Sequence, residues 1–264
     1  MSLPALFLPL VLLSATAWQA PRVERDVAYA HTEDARQRLD LHLPAGPSAF
    51  PTIVFFHGGS LNEAGERRDS PMYAGVCPAL TAAGVACATA DYRLAPSSSW
   101  PAMPEDAAAA FAWVKANIAA RGGDASRVFV FGHSSGCQLA ATIGTNQRFL
   151  AARGLGTADV AGVIAMGCVL SQTEEALTRR TIEELRPRWP AGDAVHPTID
   201  SWLDADPSRF LGPHVPPALV LLAERERFFP AILEQGAKFV RRLLEMKRPA
   251  DLVIVPGGHV SSIS

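Results

Sequence analysis

Thr52-Ile53-Val54-Phe55-Phe56 is an unbroken run of β-branched and aromatic residues, the form a strand takes when both its faces are buried. Similar runs recur at Val85–Thr89, Arg127–Phe131, Gly162–Met166, Ala218–Leu222 and Leu252–Val255. Between them lie helical patterns over Tyr73–Ala83, Glu105–Ala120, Gln138–Thr145 and Leu233–Glu245. Strand and helix alternating at this spacing predict βαβ units, and so a parallel sheet with helices on both faces joined by right-handed crossovers. Arg38–Leu43 alternates in character and stops at Pro44, as an edge strand does. The rhythm breaks over 171–217, where a charged helical segment (Glu174–Arg186) gives way to chain rich in Pro, Trp and Asp. An insertion of this length in an α/β unit is expected to serve as a lid or pocket wall, the alternative being a surface excursion that only covers the sheet.

Composition narrows the class. With 264 residues, 48% of them apolar, the chain can bury a sizeable core, which excludes a disordered or fibrous protein. A net charge of −2 without a block of like charge argues against a nucleic-acid partner. At the start, Ala5–Leu13 is almost wholly apolar, and Ala15-Thr16-Ala17 has the small-x-small form of a signal-peptidase site. The stretch carries Pro4 and Pro9 and is short for a bilayer, so it predicts a signal peptide over 1–17 rather than a transmembrane span. The mature chain would then begin near Trp18, in a secreted or periplasmic protein. The alternative is a cytoplasmic protein whose hydrophobic N-terminal helix docks on its domain. Four cysteines without CxxC or Cys/His spacing argue against a zinc site. In an exported chain Cys77 and Cys87 can pair across a short helix-to-strand connection, whereas Cys137 and Cys168 are expected to be small buried thiols.

Phe129-Val130-Phe131-Gly132-His133-Ser134-Ser135-Gly136 carries the sharpest chemical signal. A strand leads into Gly-x-Ser-x-Gly, and small residues open the helix that follows. A nucleophilic serine must stand clear at a tight strand-to-helix turn, and Gly132 and Gly136 let the two elements approach without a Cβ clash. Ser134 then lies at a helix N-terminus, which favours developing negative charge. Upstream, Phe56-His57-Gly58-Gly59-Ser60 follows a buried strand, at the carboxyl edge where sites in such sheets form. The N–H groups of Gly58 and Gly59, with that of Ser135, are the expected oxyanion donors, and His57 is expected to hold the glycine loop in place. Downstream, Glu226 and then His259 complete a serine, acid, histidine order, with His259 in a loop straight after a strand. Glu224 and Glu226 share parity, so strand alternation does not choose between them. Asp91 and Arg93 come too early for the acid and are expected to brace the site by ion pairing. Met72 and Tyr73 are read as first-helix residues beside an acyl pocket. Trp100, Trp113, Trp189 and Trp202 fit core or pocket wall, and His31, His42, His196 and His214 fit surface or local hydrogen-bonding positions.

His57-Gly58-Gly59, Asp91-Tyr92-Arg93-Leu94-Ala95-Pro96, Pro101 with Asp106, and Gly132-His133-Ser134-Ser135-Gly136 resemble the α/β-hydrolase esterases related to hormone-sensitive lipase. Ala223-Glu224-Arg225-Glu226 and Gly258-His259-Val260-Ser261 are similar to a subgroup of small-molecule carboxylesterases and kynurenine formamidase-like enzymes. The resemblance, from about residue 38 onward, implies an α/β-hydrolase fold with a mostly parallel eight-stranded sheet, as a single domain over 22–264 that includes the insertion. It also implies a catalytic set of Ser134, Glu226 and His259, with no cofactor and no metal. In the resemblance an acid occupies the fourth place of an Ala-Glu-Arg-acid tetrad, which favours Glu226. The function expected is hydrolysis of small carboxylic esters through an acyl-enzyme on Ser134. An arylformamidase, or a catalytically inactive ligand-binding homologue on the same fold, are the alternatives.

Overall fold

The unbroken apolar run in the third strand, Phe50–Phe56, divides cleanly between two layers. Val54 and Phe56 face the larger core, while Ile53 and Phe55 face a second cluster with Tyr73, Val76, Cys77 and Phe131. Period-2 alternation with both sides covered is what makes such a strand read as continuous apolar sequence. A computed structural model describes residues 20–168, 170, 190–226 and 232–263. The signal peptide expected over 1–17, the helical pattern expected at 174–186 and Trp189 lie outside the described residues.

Eight strands form one sheet: β1 (Arg22–Ala28), β2 (Arg38–Leu43), β3 (Phe50–Phe56), β4 (Ala86–Ala90), β5 (Gly123–His133), β6 (Val163–Met166), β7 (Ala218–Arg225) and β8 (Ala250–Gly258). Their order is β1-β2-β4-β3-β5-β6-β7-β8. The pairs β1–β2 and β2–β4 are antiparallel, and every pair from β4 through β3 to β8 is parallel. The expected edge strand, Arg38–Leu43, is therefore an inner one, covered by β1. β1 escapes an apolar-run criterion because five of its seven residues are exposed, and charges such as Arg22, Glu24 and Arg25 blunt the free edge.

Helices α1 (Val76–Ala82), α2 (Ala102–Asn117), α3 (Ser135–Thr145) and α4 (Gln147–Ala151) precede α5 (Pro190–Val195), α6 (Ile199–Asp204) and α7 (Ile232–Glu245). The alanine run in α2 packs without side-chain bulk, so Ala107, Ala108 and Ala110 are fully buried against the sheet. Of the insertion, the described part holds α5 and α6. It is anchored by Trp100 Nε1 donating to Asp204 at 2.7 Å, Gln138 Nε2 donating to the Ala205 carbonyl at 2.8 Å, and an ion pair of Arg148 with Asp204. His196 is not a surface group. It is buried between the rings of Trp100 and Trp202, with centroids 5.2 and 4.9 Å away.

All four cysteines are paired. Cys77–Cys87 ties α1 to β4, as expected. Cys137–Cys168 corrects the expectation of buried thiols: Cys137 lies in the first turn of α3 and Cys168 just past β6. These elements start from adjacent strands, which brings the two Cα atoms to 5.7 Å, within bridging range. The bridge spans a sequence separation of 31, for which loop-closure entropy corresponds to about 3–4 kcal/mol. Cys137→Ala/Cys168→Ala should lower the unfolding free energy read from urea titration by about 3–4 kcal/mol, with a steeper slope because the freed unfolded chain exposes more surface. An unchanged free energy would show that the bridge adds no stability.

Candidate active site

Ser134 sits between the last residue of β5 and the first of α3 with φ 55° and ψ −125°, a conformation costly for a residue with a Cβ. Close packing enforces it. A Cβ on Gly132 would meet the Gly136 oxygen at 2.1 Å, and one on Gly136 would meet the carbonyl oxygens of Phe56 and His57 at 2.2 Å. Two glycines therefore let α3 start directly over β5 and beside the end of β3. The Ser134 N–H donates to the Met166 carbonyl at 2.9 Å, which leaves the side chain facing away from the ladder.

His259 and Glu226 arrive from the neighbouring strand ends. His259 follows β8, and its Nε2 is 3.0 Å from Ser134 Oγ. Its Nδ1 is 2.7 Å from Glu226 Oε2. A carboxylate only accepts, so Nδ1 carries the proton and Nε2 is left to accept from the serine hydroxyl. The Glu226 side chain is fully buried, whereas Glu224 is exposed. The β7–β8 register slips between Ala223 and Arg225, so alternation counted along β7 has no hold on which glutamate turns inward.

The glycine loop is fixed by polar groups from three directions. His57 Nδ1 donates to the Gly58 carbonyl at 2.7 Å, its Nε2 lies 3.3 Å from Asp91 Oδ1, and its ring stacks on Tyr92 at 4.5 Å. This is the bracing position expected for His57. Asp91 also pairs with Arg68, which reaches Asp26 at 2.9 Å and Asp40 at 3.4 Å. Burial pushes the Asp91 carboxyl up, but the His57 ring 3.3 Å away, the Arg68 amide N–H and the Arg68 guanidinium outweigh it and hold the group below the usual carboxylate range. Arg93, by contrast, grips Asp106 at 2.8 Å, so Asp91 and Arg93 brace the site through separate partners.

Gly58 departs from expectation. Its N–H donates to the Tyr73 hydroxyl at 2.8 Å and is not free for a ligand. Among the described residues, the N–H groups of Gly59, Ser60 and Ser135 make no backbone hydrogen bond in the loop. Gly59, Ser60 and Leu61 are consecutive left-handed residues, with φ of 111°, 59° and 56°. Tyr73 also lies 3.0 Å from His133 Nδ1, and His133 Nε2 lies 2.8 Å from the His259 carbonyl. The sequence pattern predicts a helical position for Tyr73 and assigns His133 only a place in the Gly132–Gly136 motif. Their partners lie 60 and 126 residues away, which no local pattern encodes.

No group of three or more His, Cys, Asp or Glu that could hold a metal ion occurs among the described residues. Nor is any described helix long and apolar enough to cross a membrane.

A family model described as alpha/beta hydrolase fold matches residues 53–260. Esterase LipC of Mycobacterium tuberculosis is 29% identical over 238 residues, covering 86% of this chain and 57% of the relative. A probable isoprenylcysteine alpha-carbonyl methylesterase of Oryza sativa is 27% identical over 253 residues, covering 88% and 58%. The chain thus spans under three fifths of the length of these relatives. Among solved structures, a truncated carbohydrate esterase from gut microbiota superposes with a TM-score of 0.73 at 19% identity, covering 93% of this chain and 91% of that one. The propionate-bound esterase Est2 of Thermogutta terrifontis gives 0.69 at 22% identity, covering 90% and 84%.

Burial pushes the rings of His133 and His196 down to about 4 from an ordinary 6.5. Between those values the unfolded chain binds the protons that the folded one refuses. Stability is therefore full above pH 6.5 and drains as pH falls toward 4, by about 3 kcal/mol per ring. Urea midpoints at pH 7 and 4.5 should show this fall, and His196→Gln should shrink it. An equal pH dependence in that variant would refute a buried neutral His196.

Proposed function

The chain belongs to the alpha/beta hydrolase fold family, and on that premise we propose that it is a serine hydrolase cleaving small carboxylic esters. The observation that carries the reading is the continuous path from Ser134 Oγ through His259 to Glu226, at 3.0 and 2.7 Å. His259 Nε2 takes the Ser134 proton as Oγ attacks the ester carbonyl. Glu226 accepts the Nδ1–H, holds the ring in that tautomer and compensates the imidazolium. The proton then passes to the leaving alkoxide, and water repeats the sequence on the acyl-enzyme. The tetrahedral oxyanion is received by the N–H groups of Gly59, Ser60 and Ser135. Ser60 takes the place expected for Gly58, whose amide is spent on Tyr73. The names of the relatives, an esterase and a methylesterase, favour an ester substrate.

Two disulfides fit an oxidising compartment, and with the apolar leader they support an exported enzyme. N-terminal sequencing of protein from its host should find a start near Trp18. An intact Met1 would refute export.

A panel of p-nitrophenyl acyl esters, an acetylated xylan, a feruloyl ester and N-formylkynurenine tests the chemistry. The short acyl esters should be turned over, and a fluorophosphonate should label Ser134. Ser134→Ala should lose at least ~10³-fold in kcat with normal melting. Glu226→Gln should lose ~10²–10⁴-fold in kcat with little change in KM, because the wrong imidazole tautomer is then favoured, while Glu224→Gln stays near wild type. Full turnover in Ser134→Ala would sink the mechanism, and preference for the formamide would move the substrate class.

A further inference from the structure

We propose that Tyr73 and His133 are positioning residues for ester hydrolysis, forming a one-way hydrogen-bond chain that ties the oxyanion loop to the loop carrying the base. The proposal rests on the roles assigned above to Ser134, His259 and the glycine loop. Its direction follows from which atoms can donate. The His259 carbonyl can only accept, so the His133 Nε2 at 2.8 Å must carry a proton. Burial pushes that ring down to about 4, so at neutral pH it holds one proton, and Nδ1 is left as an acceptor. The Tyr73 hydroxyl at 3.0 Å must then donate to Nδ1. That hydroxyl, pushed up to about 12 by burial, keeps its proton and uses its oxygen to accept the Gly58 N–H at 2.8 Å. Four groups on four separate stretches of chain are thus satisfied in one arrangement.

The chain runs beside the reacting atoms. A Cβ built on Gly58 would lie 2.6 Å from the Tyr73 hydroxyl and 3.0 Å from Ser134 Cβ, so the hydroxyl, the loop and the nucleophile meet within one contact diameter. The His133 ring lies 4.9 Å from the His259 ring. Tyr73 and His133 are 4% and 1% exposed, so water cannot replace a lost partner at little cost. Fixing Gly58 sets where the next amides, those of Gly59 and Ser60, point. Fixing the His259 carbonyl sets where its ring stands over Ser134. The relay holds the oxyanion donors and the base at one separation, which matters most when charge develops on both.

Tyr73→Phe and His133→Gln, singly and together, test this against p-nitrophenyl acetate, with thermal melting and long-range ¹H–¹⁵N spectra of histidine-labelled protein. Wild type should show a His133 ring protonated at Nε2, with an Nδ1 resonance that moves in Tyr73→Phe. Each single variant should remain folded at assay temperature and lose about 10- to 100-fold in kcat, less than deletion of a direct oxyanion donor, with KM within threefold. The double variant should be no slower than the worse single one, because a chain broken once is broken. A wild type that hydrolyses no ester overturns the functional reading and this proposal with it. An active wild type overturns this proposal alone if Tyr73→Phe keeps its kcat, if only KM rises, or if the two losses multiply.

Discussion

The closeness of Gly136 to the end of β3 fixes the scale of the whole site. With the Phe56 and His57 carbonyls standing 2.2 Å from where a Cβ would be, any side chain at 136 would push α3 away from the glycine loop. The same contact, with its counterpart at Gly132, leaves Ser134 in its left-handed conformation. Parallel strands bring the rest within reach: β3, β5, β7 and β8 all point their carboxyl ends the same way, so the glycine loop, Ser134, Glu226 and His259 emerge along one rim. Interiors this dense do not deform by fractions of an ångström at small cost, so packing turns into catalytic geometry.

Around that rim, polar groups are paired in layers. His57 fixes the first carbonyl of the glycine loop, Asp91 faces His57, and Arg68 gathers Asp91, Asp40 and Asp26 from three different strands or strand ends. Arg93 does the same for Asp106 on α2. A buried ion of either sign is costly alone, so removing one member leaves its partners exposed to that cost. The pairing thus couples β1, β2 and β4 to a loop whose own sequence, rich in glycine, has little intrinsic rigidity.

Much of this was legible in the sequence, and the exceptions share a cause. The central strands showed as apolar runs because both faces are covered, and Ser134 and His259 showed through motif and chain order. β1 was silent because an edge strand with charged residues exposed on both faces carries no apolar pattern. The two glutamates could not be separated by counting because they share strand parity, and the β7–β8 register slips across Glu224, between Ala223 and Arg225. Cys137–Cys168, Tyr73 with His133, and His196 between two tryptophans depend on which elements become neighbours, and no window of local sequence contains that. The partner of the Gly58 amide is hidden for the same reason, since it is a hydroxyl fifteen residues on.

The described part of the insertion is held by α3, α4 and the loop before α2, through Gln138, Arg148 and Trp100, none of which touches the reacting atoms. Its attachments and the machinery of the rim are therefore separate inventories of residues. Sequence change in 190–210 can alter the described insertion and its attachments while Ser134, His259 and Glu226 keep their mutual distances. For a lineage, that separates change in the insertion from preservation of the geometry along the rim. For a library, it marks which positions can be randomised together without first rebuilding a nucleophile.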